Sequence, residues 1–97
     1  MPSLKRKELF GAVASDLKIL SALPLIKKED SEIWDDEAAK FRSKLYSIYS
    51  EVSDELPHEL EHYLTDTDIR LKDSGYKERQ EKFIRSLISK LETESQK

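Results

Sequence analysis

Trp34, Ala38, Phe41, Leu45, Ile48 and Val52 recur at steps of four and three, the spacing that lines apolar side chains along one face of a helix. No strand can use that pattern, because alternate residues of a strand face opposite ways. Phe10, Val13, Leu17 and Leu20 repeat it upstream, with Leu9, Ala14 and Leu23 widening the stripe. Leu60, Leu64, Thr67 and Leu71 follow, with Tyr63 beside them, and Tyr76, Gln80, Phe83, Leu87 and Leu91 close the series with Ile84 and Ile88. Two glycines and three prolines in 97 residues leave too little turn chemistry for a set of hairpins. The fold class is therefore all-α: a single-domain antiparallel four-helix bundle with helices over about 3–22, 32–53, 57–73 and 76–92 and a loose tail over 93–97.

Local signals place the ends. Ser3 is a candidate cap for the first helix, which stops before Pro24. Lys27 to Ser31 read as a polar connection, with Asp30 or Ser31 capping the second helix. Pro57 suits the first turn of the third, and Gly75 is expected to end it in a left-handed conformation. Thr65-Asp66-Thr67-Asp68 are poor helix formers, so the sequence leaves open whether the third helix is continuous there.

Charge is segregated. Residues 1–28 carry net +4, 29–37 net −6, 38–50 net +3, 51–68 seven acids and no base, and 69–97 net +3. Alternating blocks read as neighbouring helices pairing with one another. The balance of −3 argues against nucleic acid as partner, since phosphate contacts need a concentrated basic face. No cysteine is present, which excludes disulfides, thiolate zinc sites and a cysteine nucleophile and fits a reducing compartment. No apolar run reaches the ~20 residues of a membrane span. The expected location is cytoplasmic, without direct membrane insertion.

His58-Glu59-Leu60-Glu61-His62 spells H-E-x-x-H, and Asp66 lies one turn on. Two histidines at i and i+4 can share a zinc ion while the Glu acts as general base on bound water. Leu60 belongs to the buried stripe, however, so positions two before and two after it project toward solvent. A hydrolase needs a cleft that excludes water. The motif reads as a solvated helix face, and no metal or other cofactor is assigned; adventitious metal binding and a zinc hydrolase are the remaining readings.

Tyr46, Tyr49, Tyr63 and Tyr76 read as the core's edge with hydroxyls reaching water. Trp34 reads as core; an exposed Trp34 would instead mark an interface anchor. Lys77, Arg79, Lys82 and Arg85 form a solvated face beside Glu78 and Glu81. Ser43, Ser47, Ser50 and Ser53 form a polar ridge that would permit close helix approach, with no base to activate any of them. No enzyme activity is indicated.

Leu56-Pro57-His58-Glu59-Leu60 opens a helix, Ile69-Arg70-Leu71-Lys72-Asp73-Ser74-Gly75 closes it, and Gln80-Glu81-Lys82-Phe83-Ile84-Arg85-Ser86-Leu87 leads the next. Over residues 55–91 this resembles the immunity proteins of pediocin-like bacteriocins. The resemblance implies a cytoplasmic four-helix bundle that protects a producer cell from its own pore-forming peptide by engaging the sugar-transporter receptor once the peptide is bound. It places recognition in the second hairpin, at Lys72, Asp73, Tyr76, Lys77 and Arg79. The competing class is a small helical adaptor or regulatory protein that binds another protein's helix. The identity of the bacteriocin or receptor and the oligomeric state are not readable from these residues.

Overall fold

A computed structural model describes residues 2–96, with side chains from residue 5 onward. It holds six helices and, among the described residues, no strand: α1 Pro2–Ala22, α2 Lys28–Leu45, α3 Ser50–Ser53, α4 Glu59–Thr65, α5 Thr67–Lys72 and α6 Ser74–Gln96. The four helical segments read from periodicity are present, two of them broken. α1 and α6 form the main packing pair. They run antiparallel, with Gly11 against Ser95 and Lys18 paired with Glu92. α2 packs on α4 and α5, and α3 packs on α1. One contiguous core results, centred on Val13, Leu17, Val52 and Ile84, with Trp34 only 2% exposed inside it.

The second helix departs most from its expected 32–53 course. It begins at Lys28 and ends at Leu45, and a wide turn precedes the single turn of α3. Tyr49 N–H donates to Lys44 O at 2.8 Å, spanning five residues instead of four. The extra residue rotates Ile48 outward and turns Tyr49 into the core. Tyr49 then stacks against Phe41 at 6.1 Å, and its hydroxyl donates to Asp16. Burial first, and that bond second, push its pKa well up. The stripe therefore continues Leu45–Tyr49–Val52, and Tyr49's hydroxyl finds a carboxylate where water was expected. Ser43, Ser47 and Ser50 stay exposed, and no helix packs onto that ridge. Ser47 instead donates back to Ser43 O at 2.9 Å, the habit of hydroxyls that bend helices.

Other ends differ as well. α1 begins at Pro2, so Ser3 lies within it, and the capping role expected of its hydroxyl falls outside the described side chains. Helix three starts at Glu59, beyond Pro57, and breaks at Asp66. The tail expected to be loose is helical through Gln96, because α1 runs alongside it and accepts its packing. Gly75 has no positive φ and lies inside α6. The turn is made instead by Asp73, in extended conformation at φ −125°, whose Oδ1 accepts Tyr76 N–H at 3.1 Å. That is a side-chain N-cap, so no left-handed residue is required.

The charge blocks do pair across helices. Lys5 and Arg6 of α1 meet Glu51 and Glu55, Arg42 meets Glu61, and Lys44 meets Asp16. Each is an exposed or half-exposed pair of small worth; together they orient the helices. No helix of the described residues is long and apolar enough to cross a membrane.

Two outcomes follow from these ends. Gly75→Ala should leave stability unchanged or raise it by a few tenths of a kcal/mol in urea melts, whereas a left-handed glycine would lose about 1 kcal/mol or more. Asp30 accepts from Ile26 N–H and Lys27 N–H, each at 2.9 Å. These bonds, Lys27's first, hold its carboxyl below the usual range. A lowered folded pKa contributes stability above the unfolded value and loses it as pH falls through the folded one. Asp30→Ala should therefore be less stable than the parent at neutral pH. The gap should close in melts taken progressively below the ordinary carboxylate range.

Candidate functional site

The corner between α5 and α6 is built on a buried cation. Arg70 is 4% exposed. Its guanidinium lies over the ring of Tyr63 at 4.5 Å and that of Trp34 at 4.6 Å, and the two rings meet edge to face at 5.2 Å. Nη1 donates to Tyr63 O at 2.6 Å and to Gln80 Oε1 at 2.5 Å. Nη2 is buried without a hydrogen-bond partner. No carboxylate touches the guanidinium among the described ion pairs.

Charge balance arrives through a relay. Gln80 Nε2 donates to Tyr76 Oη at 2.9 Å, and Tyr76 Oη–H donates to Asp66 Oδ2 at 2.5 Å. The chain of groups thus runs Arg70–Gln80–Tyr76–Asp66, ending on a carboxylate at the break between α4 and α5. Thr67, one residue on, is 3% exposed and donates to Asp35 Oδ1 at 2.8 Å, tying α5 to α2. Burial is the main cause lowering the Arg70 pKa. For Tyr76 the bond to Asp66 comes first, and raises it. Burial lifts Tyr63 to about 12. Both shifts favour the neutral phenol, and Tyr76 donates from it to Asp66.

Magnitudes show why the cation is tolerated. Desolvating it costs several kcal/mol. Two desolvated aromatic faces return about 2 kcal/mol each, and each hydrogen bond from a charged donor about 1.5–3 kcal/mol. These gains are of the same size as the cost and offset most of it; burial still leaves the Arg70 pKa below its ordinary value. The periodic stripe contained a signal for it: Tyr63, Thr67 and Arg70 step by four and three. Its charge hides the arginine there, because an ionised side chain is almost always solvent-facing.

The recognition residues expected from sequence are divided among roles. Tyr76 and Arg79 line a shallow groove of about 240 Å³ with Glu59, His62, Gln80 and Phe83. The Arg79 guanidinium lies 5.8 Å from the Tyr76 ring centroid. Lys72 is exposed on the other side of the corner and lines a separate hollow with Ile26 and Leu71. Lys77 faces Glu81 at 4.0 Å. Asp73 is exposed, with its carboxylate engaged as the α6 cap. Tyr76 is half-buried and serves both the corner's surface and its internal relay, its hydroxyl donating to Asp66.

His58 sits at the N-cap of α4 and His62 one turn in, both exposed, their rings 6.0 Å apart and nearly perpendicular. Leu60 between them is buried. His62 Nδ1 is 3.7 Å from Asp66 Oδ2, the oxygen that accepts Tyr76. Among the described residues no group of three or more His, Cys, Asp or Glu is placed to hold a metal ion.

No protein-family model, curated protein or solved structure matches this chain.

Arg70→Ala strands Gln80 Oε1 and Tyr63 O and opens a gap between two rings. It should cost about 3 kcal/mol or more. Arg70→Lys should recover only part of that, because an ammonium cannot stack flat between two rings. Tyr76→Phe removes both the bond to Asp66 and the acceptor of Gln80 Nε2 and should cost about 1–3 kcal/mol. Denaturant melts of the three variants check the order.

Proposed function

We propose that this chain is a bacteriocin immunity protein: a cytoplasmic, non-enzymatic bundle that protects a producer cell by binding a membrane receptor, a sugar transporter, after the pore-forming peptide has engaged it. The resemblance over residues 55–91 motivates the reading. The observation that carries it is the internal bracing of the α5–α6 corner, where Arg70, Gln80, Tyr76 and Asp66 join three helices. A recognition surface held in one conformation before contact loses less entropy on binding. Lys72, Tyr76 and Arg79 surround that corner with two cations and an aromatic ring, the chemistry common at binding anchors.

Trp34, the anchor that an adaptor reading would have used, is enclosed in the core. An adaptor role rests instead on Tyr46, 75% exposed beside a cleft at the far end of α2.

Bacteriocin-sensitive cells expressing the chain should survive a panel of pediocin-like peptides. Lys72→Glu with Arg79→Glu should abolish survival while leaving the melting temperature of the purified protein unchanged, since both side chains are exposed. Sensitivity to the whole panel despite confirmed expression of folded protein would refute the immunity function and leave the adaptor.

A further inference from the structure

The wide turn after α2 and the Pro57 elbow before α4 hold two chain segments apart. Between them opens a cleft of about 560 Å³. Its floor is apolar: Leu45, Leu56 and Leu60, with the Pro57 ring. Tyr46 stands at its edge, 75% exposed, although tyrosine rings of this bundle elsewhere find cover. An exposed aromatic beside an apolar floor has the make-up of a binding anchor.

The charged groups lining the cleft are of one sign. Asp54 and Glu61 line it with His58, and no lysine or arginine does. The surrounding stretch 51–68 holds seven acids and no base. Glu51 and Glu55 are paired with Lys5 and Arg6 of α1. Glu61 meets Arg42 at 3.5 Å, with both side chains about two-fifths exposed. Such a pair is worth under about 1 kcal/mol, so a better-placed cation can displace it.

We propose that this cleft is the docking groove for a cationic amphipathic helix of a partner protein. The partner's apolar stripe lies on Leu45, Leu56 and Leu60 beside Tyr46, and its lysines or arginines meet Asp54 and Glu61. A helix fits better than an extended strand, because the walls are helices with internally satisfied backbones and no sheet edge is offered. The inference rests on the chain being a partner-binding bundle and not on the immunity family. Its groove lies away from the α5–α6 corner, on different residues.

The test uses the full chain labelled for amide NMR and a Leu/Lys amphipathic peptide of roughly 18 residues, long enough to hold a helix once docked. The Leu/Glu peptide of the same apolar face is the control. Shifts should concentrate in residues 45–61 on adding the Lys peptide, weaken with salt, and be absent with the Glu peptide. Tyr46→Ala and Asp54→Lys should each weaken binding about tenfold or more, with Trp34 emission and melting temperature unchanged. Three results would overturn the proposal. One is equal binding of both peptides. Another is shifts centred elsewhere, such as the groove between Ile19 and Phe41. The third is concentration-dependent shifts in residues 45–61 without peptide, which would make a second copy the occupant. Cell survival is read separately, so failure of the groove and failure of the immunity reading are distinguishable.

Discussion

Arg70 is the constraint around which the second half of this bundle is arranged. A guanidinium taken almost wholly out of water demands flat faces, acceptors and a nearby negative charge. Trp34 from α2 and Tyr63 from α4 supply the faces. Gln80 from α6 supplies an acceptor and passes its own donor to Tyr76, which hands the polarity on to Asp66. Four helices thus meet on one cation. Packing of Leu and Ile alone tolerates sliding and repacking, whereas a hydrogen-bonded relay of fixed lengths is satisfied in one arrangement. The corner from α5 to α6 takes its shape from this relay.

The break at Asp66 follows from the same demand. Thr65 returns its hydroxyl to Glu61 O at 2.9 Å, bending the helix, and Asp66 leaves helical geometry at ψ 33°. Local weakness in Thr65–Asp68 made a break affordable; the bond to Tyr76 gives it a direction. A parallel case occurs after α2, where the wide turn at Tyr46–Tyr49 exchanges one side chain for another. Tyr49 brings a ring to Phe41 and a donor to Asp16, and Ile48 is left in solvent. In both places an aromatic hydroxyl finding a carboxylate outweighs continuation of a regular helix.

These irregularities are also where the two proposed binding surfaces lie. A straight-sided bundle presents ridges and shallow grooves. The kink at Asp66 turns α5 so that Lys72 and Arg79 flank one corner. The interruption of α2 opens the acidic, apolar-floored cleft at Leu45 and Leu60. Each place sets exposed side chains beside charge: Lys72 and Arg79 at the corner, and Tyr46 with Asp54 and Glu61 at the cleft.

Much of the architecture was legible in the chain. Apolar steps of four and three identified four helical segments and nearly all the buried side chains, because burial of one helical face leaves its period in the sequence. Alternating charge blocks announced the cross-helix pairs now seen as Lys5–Glu51 and Arg42–Glu61. The exposed face of the His58–His62 pair followed from Leu60 being buried. Tertiary structure alone decided the rest. Periodicity treats Ile48 and Tyr49 as near equals and cannot see that Asp16 waits across the bundle. It marks Gly75 as a turn residue and cannot see that the Asp73 carboxylate already caps the next helix. It places Arg70 among charged residues and cannot see two aromatic rings closing over it. Local pattern reports which face of a helix is apolar. Which polar group finds its partner depends on residues far apart in the chain, and only their packing brings them within reach.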